Sequence, residues 1–174
     1  QVSGITISDC IIRESNYGIK LESANADQIH IMNTGIFTTY HAVWLSPSGF
    51  VSMSSVAGAA NLVYIDDHYG NLYMENCQCE STRFLLMNSS ATSEAKNLIT
   101  LVSCTVDVPI EIENCNLAIS SFVFIGCSFD DNIWCNETNS RFTSISCEYD
   151  ADVYLNNGGI TWTSIMDHWW TGGL

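Results

Sequence analysis

Four carboxylates recur along the second half of the chain, Glu80, Asp107, Asp130 and Asp150, with Asp131 and Asp152 beside them. Their separations of 27, 23 and 20 residues (80 to 107, 107 to 130, 130 to 150) are too long for one strand or one helix face. They suit a chain that returns to the same place once per repeat. Like charges brought side by side repel by on the order of 1 kcal/mol per neighbour. Such a column is therefore splayed into water as a set of turn formers, neutralised by a hard cation such as Ca²⁺ that seeks oxygen ligands, or used. If it is used, a close carboxyl pair serves glycoside cleavage, because one carboxyl held protonated by its neighbour is a general acid. The partner is then a nucleophile at about 5 Å, or a base several ångströms further away. Asp107, Asp130, Asp131 and Asp150 are the candidate catalytic residues, and Glu80 is a candidate substrate contact at the edge of the set. A second group, Asp66, Asp67 and His68 in "IDDHYG", combines residue types suited to acid–base work. Such a cluster is more often a solvated loop.

The elements that position these residues follow from a frame that repeats. The stretch "ITISDCIIRESNYGIKL", residues 5 to 21, moved forward by 24 positions lies over "IHIMNTGIFTTYHAVWL", so that Ile5 meets Ile29, Ile12 meets Ile36 and Leu21 meets Leu45. With Cys10 as position zero, apolar residues stand at −5, −3 and +2. The frame recurs around Thr34, Val56, Cys77, Cys104, Cys127 and Cys147. Each repeat closes with two apolar residues one position apart: Ile19/Leu21, Val43/Leu45, Val63/Ile65, Phe84/Leu86, Ile110/Ile112, Ile133/Cys135 and Val153/Leu155. From Cys10 to Cys147 six repeats average about 23 residues, and Ile160, Trp162 and Ile165 mark an eighth start. Short strands of period 2 joined by turns, with Pro nearly absent and no sustained 3.6-residue stripe, predict an all-β solenoid of about 7 to 8 stacked coils. Residues 1–158 form that solenoid, and residues 159–174 make a partial last coil with a cap or linker.

Stacking turns each frame position into a column with a spacing of about 4.8 Å. The zero column places Cys10, Cys77, Cys104, Cys127 and Cys147 inside as small apolar residues, so reduced thiols are expected for all eight cysteines. Cys77 and Cys79 lack the spacing of a zinc pair, and no metal site is assigned. Position −1 reads Asp9, Asn33, Ser55, Asn76, Ser103, Gly126 and Ser146, the chemistry of a bend. Between the closing pairs runs an outward column of Lys20, Trp44, Tyr64, Leu85, Glu111, Trp134 and Tyr154. Its four aromatics are explained either as a platform for sugar rings or as a face buried against other chains. Trp44, Tyr64, Trp134 and Tyr154 are accordingly candidate substrate-binding residues.

Composition excludes several classes. Five basic residues against nineteen acidic ones, a formal charge of −14, argue against nucleic acid and against anionic membrane surfaces. The chain has no apolar run of 18 residues, so no spanning helix is expected. It starts at Gln1 without an initiating Met or a leader, which reads as a piece of a longer protein or a processed product.

The periodicity over residues 3 to 165 resembles the right-handed parallel β-helix proteins, the fold of phage tailspikes and of pectate-lyase-like enzymes. The segment "FDDNIWC", Phe129 to Cys135, looks like the Asp-Asp segment of polygalacturonase-like glycoside hydrolases, which carry a third Asp one coil earlier, where Asp107 stands. The His-Gly and Arg-x-Lys elements of that family have no counterpart after it. Lyases of this fold rely on Arg or Lys, and the five basic residues here are scattered over the columns. The resemblance implies a tailspike-like or tail-fibre-like module, homotrimeric, that engages host surface polysaccharide in a virion tail assembled in a reducing host cytoplasm. A glycoside hydrolase of the same fold, a non-catalytic shaft and a secreted setting are the alternatives.

Overall fold

The computed structural model describes residues 2–22, 26–46, 49–66, 70–88, 96–113, 119–136, 140–156 and 159–170. Asp67, His68, Cys115 and residues 171–174 lie outside them. The described chain is all-β, a stack of parallel coils of about 22 residues. The first coil comprises β1 (Val2–Ser8) and β2 (Ile11–Leu21), and the next two are the long, bent strands β3 (Ala26–Leu45) and β4 (Val51–Ile65). After these, each coil has three short strands: β5 (Asn71–Glu75), β6 (Gln78–Cys79) and β7 (Arg83–Asn88); then β8 (Lys96–Val102), β9 (Thr105–Val106) and β10 (Ile110–Glu113). The series continues with β11 (Ile119–Ile125), β12 (Ser128–Phe129) and β13 (Ile133–Cys135), then β14 (Arg141–Ile145), β15 (Glu148–Tyr149) and β16 (Val153–Leu155). Strands β17 (Thr161–Ile165) and β18 (His168–Trp169) open the last level. Six coils, the second to the seventh, are covered on both sides.

The pairing register follows the sequence frame. Ile5 pairs with Ile29, Ile29 with Val51, Val51 with Leu72, Leu72 with Ile99, Ile99 with Phe122, Phe122 with Phe142 and Phe142 with Trp162. All pairs are parallel, so the strands of a middle coil bond to the coils above and below, and alternate side chains point into a dry interior. On the covered coils the −5, −3 and +2 positions are buried throughout. Aromatic rings stack within the later columns: Phe122 on Phe142 at 4.7 Å, Phe142 on Trp162 at 4.9 Å, Phe129 on Tyr149 at 4.8 Å and Tyr149 on Trp169 at 4.1 Å.

Position −1 is the corner that makes the coil possible. Asp9, Asn33, Ser55, Asn76, Ser103, Gly126, Ser146 and Met166 all have φ between 47° and 58°. This left-handed conformation costs an ordinary L-residue roughly 1–2 kcal/mol, and Asn, Asp and Gly tolerate it best. The column is thus a bend repeated once per level, and Asn33 Nδ2 donates to Asp9 Oδ1 at 3.2 Å across one step of it.

The zero column holds Cys77, Cys104, Cys127 and Cys147 fully buried, with Thr34 and Val56 between Cys10 and Cys77. Cys10, Cys77, Cys79, Cys104, Cys127 and Cys147 are free thiols. The buried sulfurs point at backbone carbonyls, as in Cys77 Sγ to Met53 O at 3.7 Å and Cys104 Sγ to Met74 O at 3.6 Å, while Cys10 Sγ lies 3.7 Å from Thr34 Oγ1. The column ends on a different residue. At the last level Asp167 takes the zero position, and its carboxylate accepts from the Cys147 backbone N–H at 2.9 Å, from Ser164 Oγ at 2.6 Å and from Ser144 Oγ. Two serines at −3 on neighbouring coils are thereby explained: they solvate the acid that closes the thiol column. The eighth start also needs correction. Trp162 and Ser164 take the inward positions, whereas Ile165 pairs with Ile145 on the outside and is 44% exposed.

Candidate functional site

Arg13 pairs with Phe37 and Phe37 with Ala59, and the same column continues through Glu80, Asp107, Asp130 and Asp150. The backbone N–H of Glu80 donates to Gly58 O at 3.0 Å, that of Asp130 to Val106 O at 3.0 Å and that of Asp150 to Phe129 O at 2.8 Å. The four carboxylates are therefore stacked, one per coil, and all four residues are exposed. The Asp107 carboxyl is pushed above its ordinary value, first by partial burial and then by the charge of Asp130. At the other end of the column the Arg13 guanidinium lies 5.5 Å from the Phe37 ring centroid. Asp131 does not join the column. It is half-buried at the next corner position, where its Oδ1 accepts from the Asn132 backbone N–H at 2.7 Å, the bond of a turn former. Asp152 is likewise engaged, accepting from Tyr154 OH at 3.1 Å. Among the described residues no group of three or more His, Cys, Asp or Glu side chains is placed to hold a metal ion.

The outward column between the closing pairs runs in register from Lys20 to Trp44, Tyr64, Leu86, Glu111, Trp134 and Tyr154. On the fourth coil the outward residue is Leu86, and the inward pair is Leu85 and Met87, both fully buried. The expectation of Leu85 outward is off by one residue, and a slip of one exchanges the two faces of a strand. "FLLM" offers apolar residues in either phase, so alternation alone does not choose. Around Leu86 the strip is polar, since Arg83 Nε donates to Glu111 Oε2 at 2.5 Å. At the first coil Lys20 Nζ is 2.5 Å from Glu22 and 3.8 Å from the Trp44 ring centroid.

Aromatic character is distributed unevenly along this face. Trp134 and Tyr154 stack face to face, with centroids 3.9 Å apart and planes 11° apart. On the first three coils Trp44 and Tyr64 instead belong to a cluster with Tyr17, Tyr40 and His41. Tyr17 lies 5.8 Å from Tyr40, 5.7 Å from His41 and 5.2 Å from Trp44, with interplanar angles of 38°, 36° and 46°. His41 stacks on Tyr64 at 4.3 Å, and Asn61 Nδ2 lies 2.9 Å from His41 Nδ1. Burial holds the His41 pKa below the ordinary imidazole value. Burial, followed by the charge of Asp66, raises that of Tyr64.

Tyr17, Tyr40, His41 and Asn61 were not singled out by the column frame, because they lie in the corner between its +2 residue and the closing strand. That corner spans seven positions in the first two coils (Ile12 to Ile19, Ile36 to Val43) and only four in the last three complete coils (Val106 to Ile110, Phe129 to Ile133, Tyr149 to Val153). The register breaks there, between Arg13 and Tyr17 and between Phe37 and His41. The extra residues carry the cluster outward, and Gly18 lets the coils approach beneath it. A Cβ on Gly18 would stand 2.5 Å from the Ala42 carbonyl oxygen. The difference in corner length was the available signal.

Comparison of the chain with protein-family models, with curated proteins and with solved structures gave no match.

Proposed function

We propose that the chain is a polysaccharide-engaging β-solenoid module, of the kind that serves in phage tailspikes and tail fibres, with its glycan lying along the outward aromatic strip. The observation that carries this reading is the register of that strip. Lys20, Trp44, Tyr64, Leu86, Glu111, Trp134 and Tyr154 follow one another on successive coils, and the cluster around Tyr17 and Tyr40 adds aromatic surface at one end. A repeating ligand is matched by a repeating surface, and aromatic rings offer the apolar faces that the C–H faces of pyranose rings cover. Polysaccharide-affinity electrophoresis tests the reading. Retardation of the chain by a glycan in the gel, reduced by Trp44→Ala, supports it; unchanged mobility over neutral, cationic and anionic glycans sinks it.

Homotrimer formation is the competing use of the same strip. A cyclic assembly that buries the strip would use one patch on every chain, and light scattering distinguishes it from a monomer that keeps the strip for sugar.

A second reading, glycoside hydrolysis, is favoured by the raised pKa of Asp107 next to Asp130. A carboxyl that holds its proton longer is what a general acid requires. Reducing-end release from a candidate glycan that disappears in both Asp107→Asn and Asp130→Asn supports this second reading, and release that survives both removes catalysis from the acidic column.

A further inference from the structure

The two ends of the aromatic strip differ in a way that decides where a sugar can lie and which sugar it is. Rings in adjacent coils that stack face to face cover one another's faces and leave their edges to solvent. Trp134 and Tyr154, 3.9 Å apart and nearly parallel, are in that arrangement. Around the longer corners of the first two coils the rings are tilted, with only His41 and Tyr64 stacked. Tyr17 is tilted by 36° to 46° against each of its neighbours, and Trp44 meets Tyr64 edge-on at 62°. Tyr17 and Tyr40 are 41% and 53% exposed, the most exposed residues of the cluster. Lys20 Nζ lies over the Trp44 ring and His41 stacks on Tyr64, so the ring surface open to a pyranose at this end of the strip is that of Tyr17 and Tyr40.

The charge around the cluster restricts the ligand. Recognition of a uronate, sialate or sulfate calls for a cation, preferably a bidentate guanidinium. Lys20, beside Trp44, is paired with Glu22 at 2.5 Å, and Arg13 lies over Phe37. Arg83, further along the face, is paired with Glu111 at 2.5 Å. His41 is held by Asn61 and stacked on Tyr64, and its lowered pKa keeps it neutral at neutral pH. Glu14 and Glu22 are exposed on the same coil, and the chain carries a formal charge of −14. An anionic polymer meets the chain's net negative charge here, and the cation nearest the cluster, Lys20, is already paired with a carboxylate.

We propose that Tyr17 and Tyr40, supported by Trp44, His41 and Tyr64, form the glycan seat, and that it takes uncharged or amine-bearing sugars and rejects acidic ones. This deepens the polysaccharide-binding reading and rests on it. A hexosamine with a free amine would add attraction to the exposed carboxylate of Glu14 and to the net negative charge of the chain, while neutral hexoses would bind by stacking alone.

The test uses the full chain and titration calorimetry against three probes at moderate salt: a neutral dextran or galactomannan, a chitosan oligosaccharide and polygalacturonate. Binding to a neutral or amine-bearing probe is expected, weakened about tenfold or more by Tyr40→Ala and by Tyr17→Ala, with little change in Trp134→Ala. Tyr40→Phe keeps the ring and should keep the affinity, which separates loss of stacking from loss of fold; circular dichroism checks each variant. Binding of polygalacturonate in preference to the other probes overturns the sugar class while leaving the polysaccharide reading in place. Dependence on Trp134 with indifference to Tyr40 overturns the location. Binding of none of the three overturns both this inference and the reading beneath it. A stable oligomer that dissociates on Tyr40→Ala replaces the glycan with a second copy of the chain.

Discussion

The register of the fourth coil gives a test in which two adjacent leucines must behave differently. Leu85 is fully buried between Val63 and Ile110, both also fully buried, while Leu86 stands outward between Tyr64 and Glu111. Truncating Leu85 to Ala removes about three carbons from a dry site, roughly 2.4 kcal/mol of transfer free energy at about 0.8 kcal/mol per carbon. The parallel ladder holds the backbone on both sides, so the site collapses little, and a cavity contribution brings the total to about 3–4 kcal/mol. Leu86→Ala acts on a half-exposed side chain and should cost about 1 kcal/mol or less. At roughly 2–4 °C per kcal/mol for a chain of this size, Tm falls by about 6–16 °C in the first variant and by less than about 4 °C in the second. Urea denaturation followed by circular dichroism, with a check that the m-value is unchanged, measures both. Equal costs, or a larger cost for Leu86→Ala, would refute the register and restore the alternative phase in which Leu85 faces outward.

Three further expectations concern charge and thiols. Asp107 has a raised pKa in the folded chain, so its ionised form costs stability at neutral pH, and that cost fades as pH falls toward the ordinary carboxylate value of 3.8. Asp107→Asn should therefore raise Tm by about 1–3 °C at neutral pH, with the gain shrinking on acidification; a destabilised variant would refute the account. His41 has a lowered pKa, so the unfolded chain binds its proton first and stability falls as pH drops below 6.5. Comparing Tm of the native chain and His41→Phe between neutral pH and about pH 5 isolates this contribution, and parallel curves would show that His41 carries none of it. The hydrogen bond with Cys104, reinforced by burial and opposed by the hydrogen bond with Cys147, pushes the Cys127 thiol up to about 12. Alkylation counted by mass spectrometry should leave Cys77, Cys104, Cys127 and Cys147 unmodified in the native chain and label all four after denaturation without reductant. Labelling in the native state would contradict the burial of the column.

Much of the fold was legible because a solenoid writes its geometry into one dimension. Each coil contacts only its neighbours, so the same side-chain requirement returns at the same position. The intervals between apolar residues therefore fixed the register at Ile5/Ile29, Leu72/Ile99 and Phe122/Phe142. The bend column could be read for the same reason: left-handed backbone selects Asp, Asn, Ser and Gly, and those residues stand at −1 in seven coils. The sequence also determined which residues form the exposed acidic column, since Glu80, Asp107, Asp130 and Asp150 follow an inward residue whose position was already set. Periodicity has no power where a stretch satisfies two phases, and at Leu85 and Leu86 the stacking partners on the adjacent coils decided which leucine enters the core. It has none either at the level where Asp167 replaces a cysteine, because the acid is tolerated there only through the Ser144 and Ser164 hydroxyls and the Cys147 N–H that converge on it. The cluster of Tyr17, Tyr40, His41 and Trp44 likewise belongs to tertiary structure. Tyr17, Tyr40 and His41 lie in the long corners of the first two coils and Trp44 on the closing strand beside them, and their mutual tilt follows from how the extra residues bulge over the stack. Neighbour-to-neighbour repetition is encoded locally, but the places where the repetition is broken acquire their geometry only when the coils are stacked.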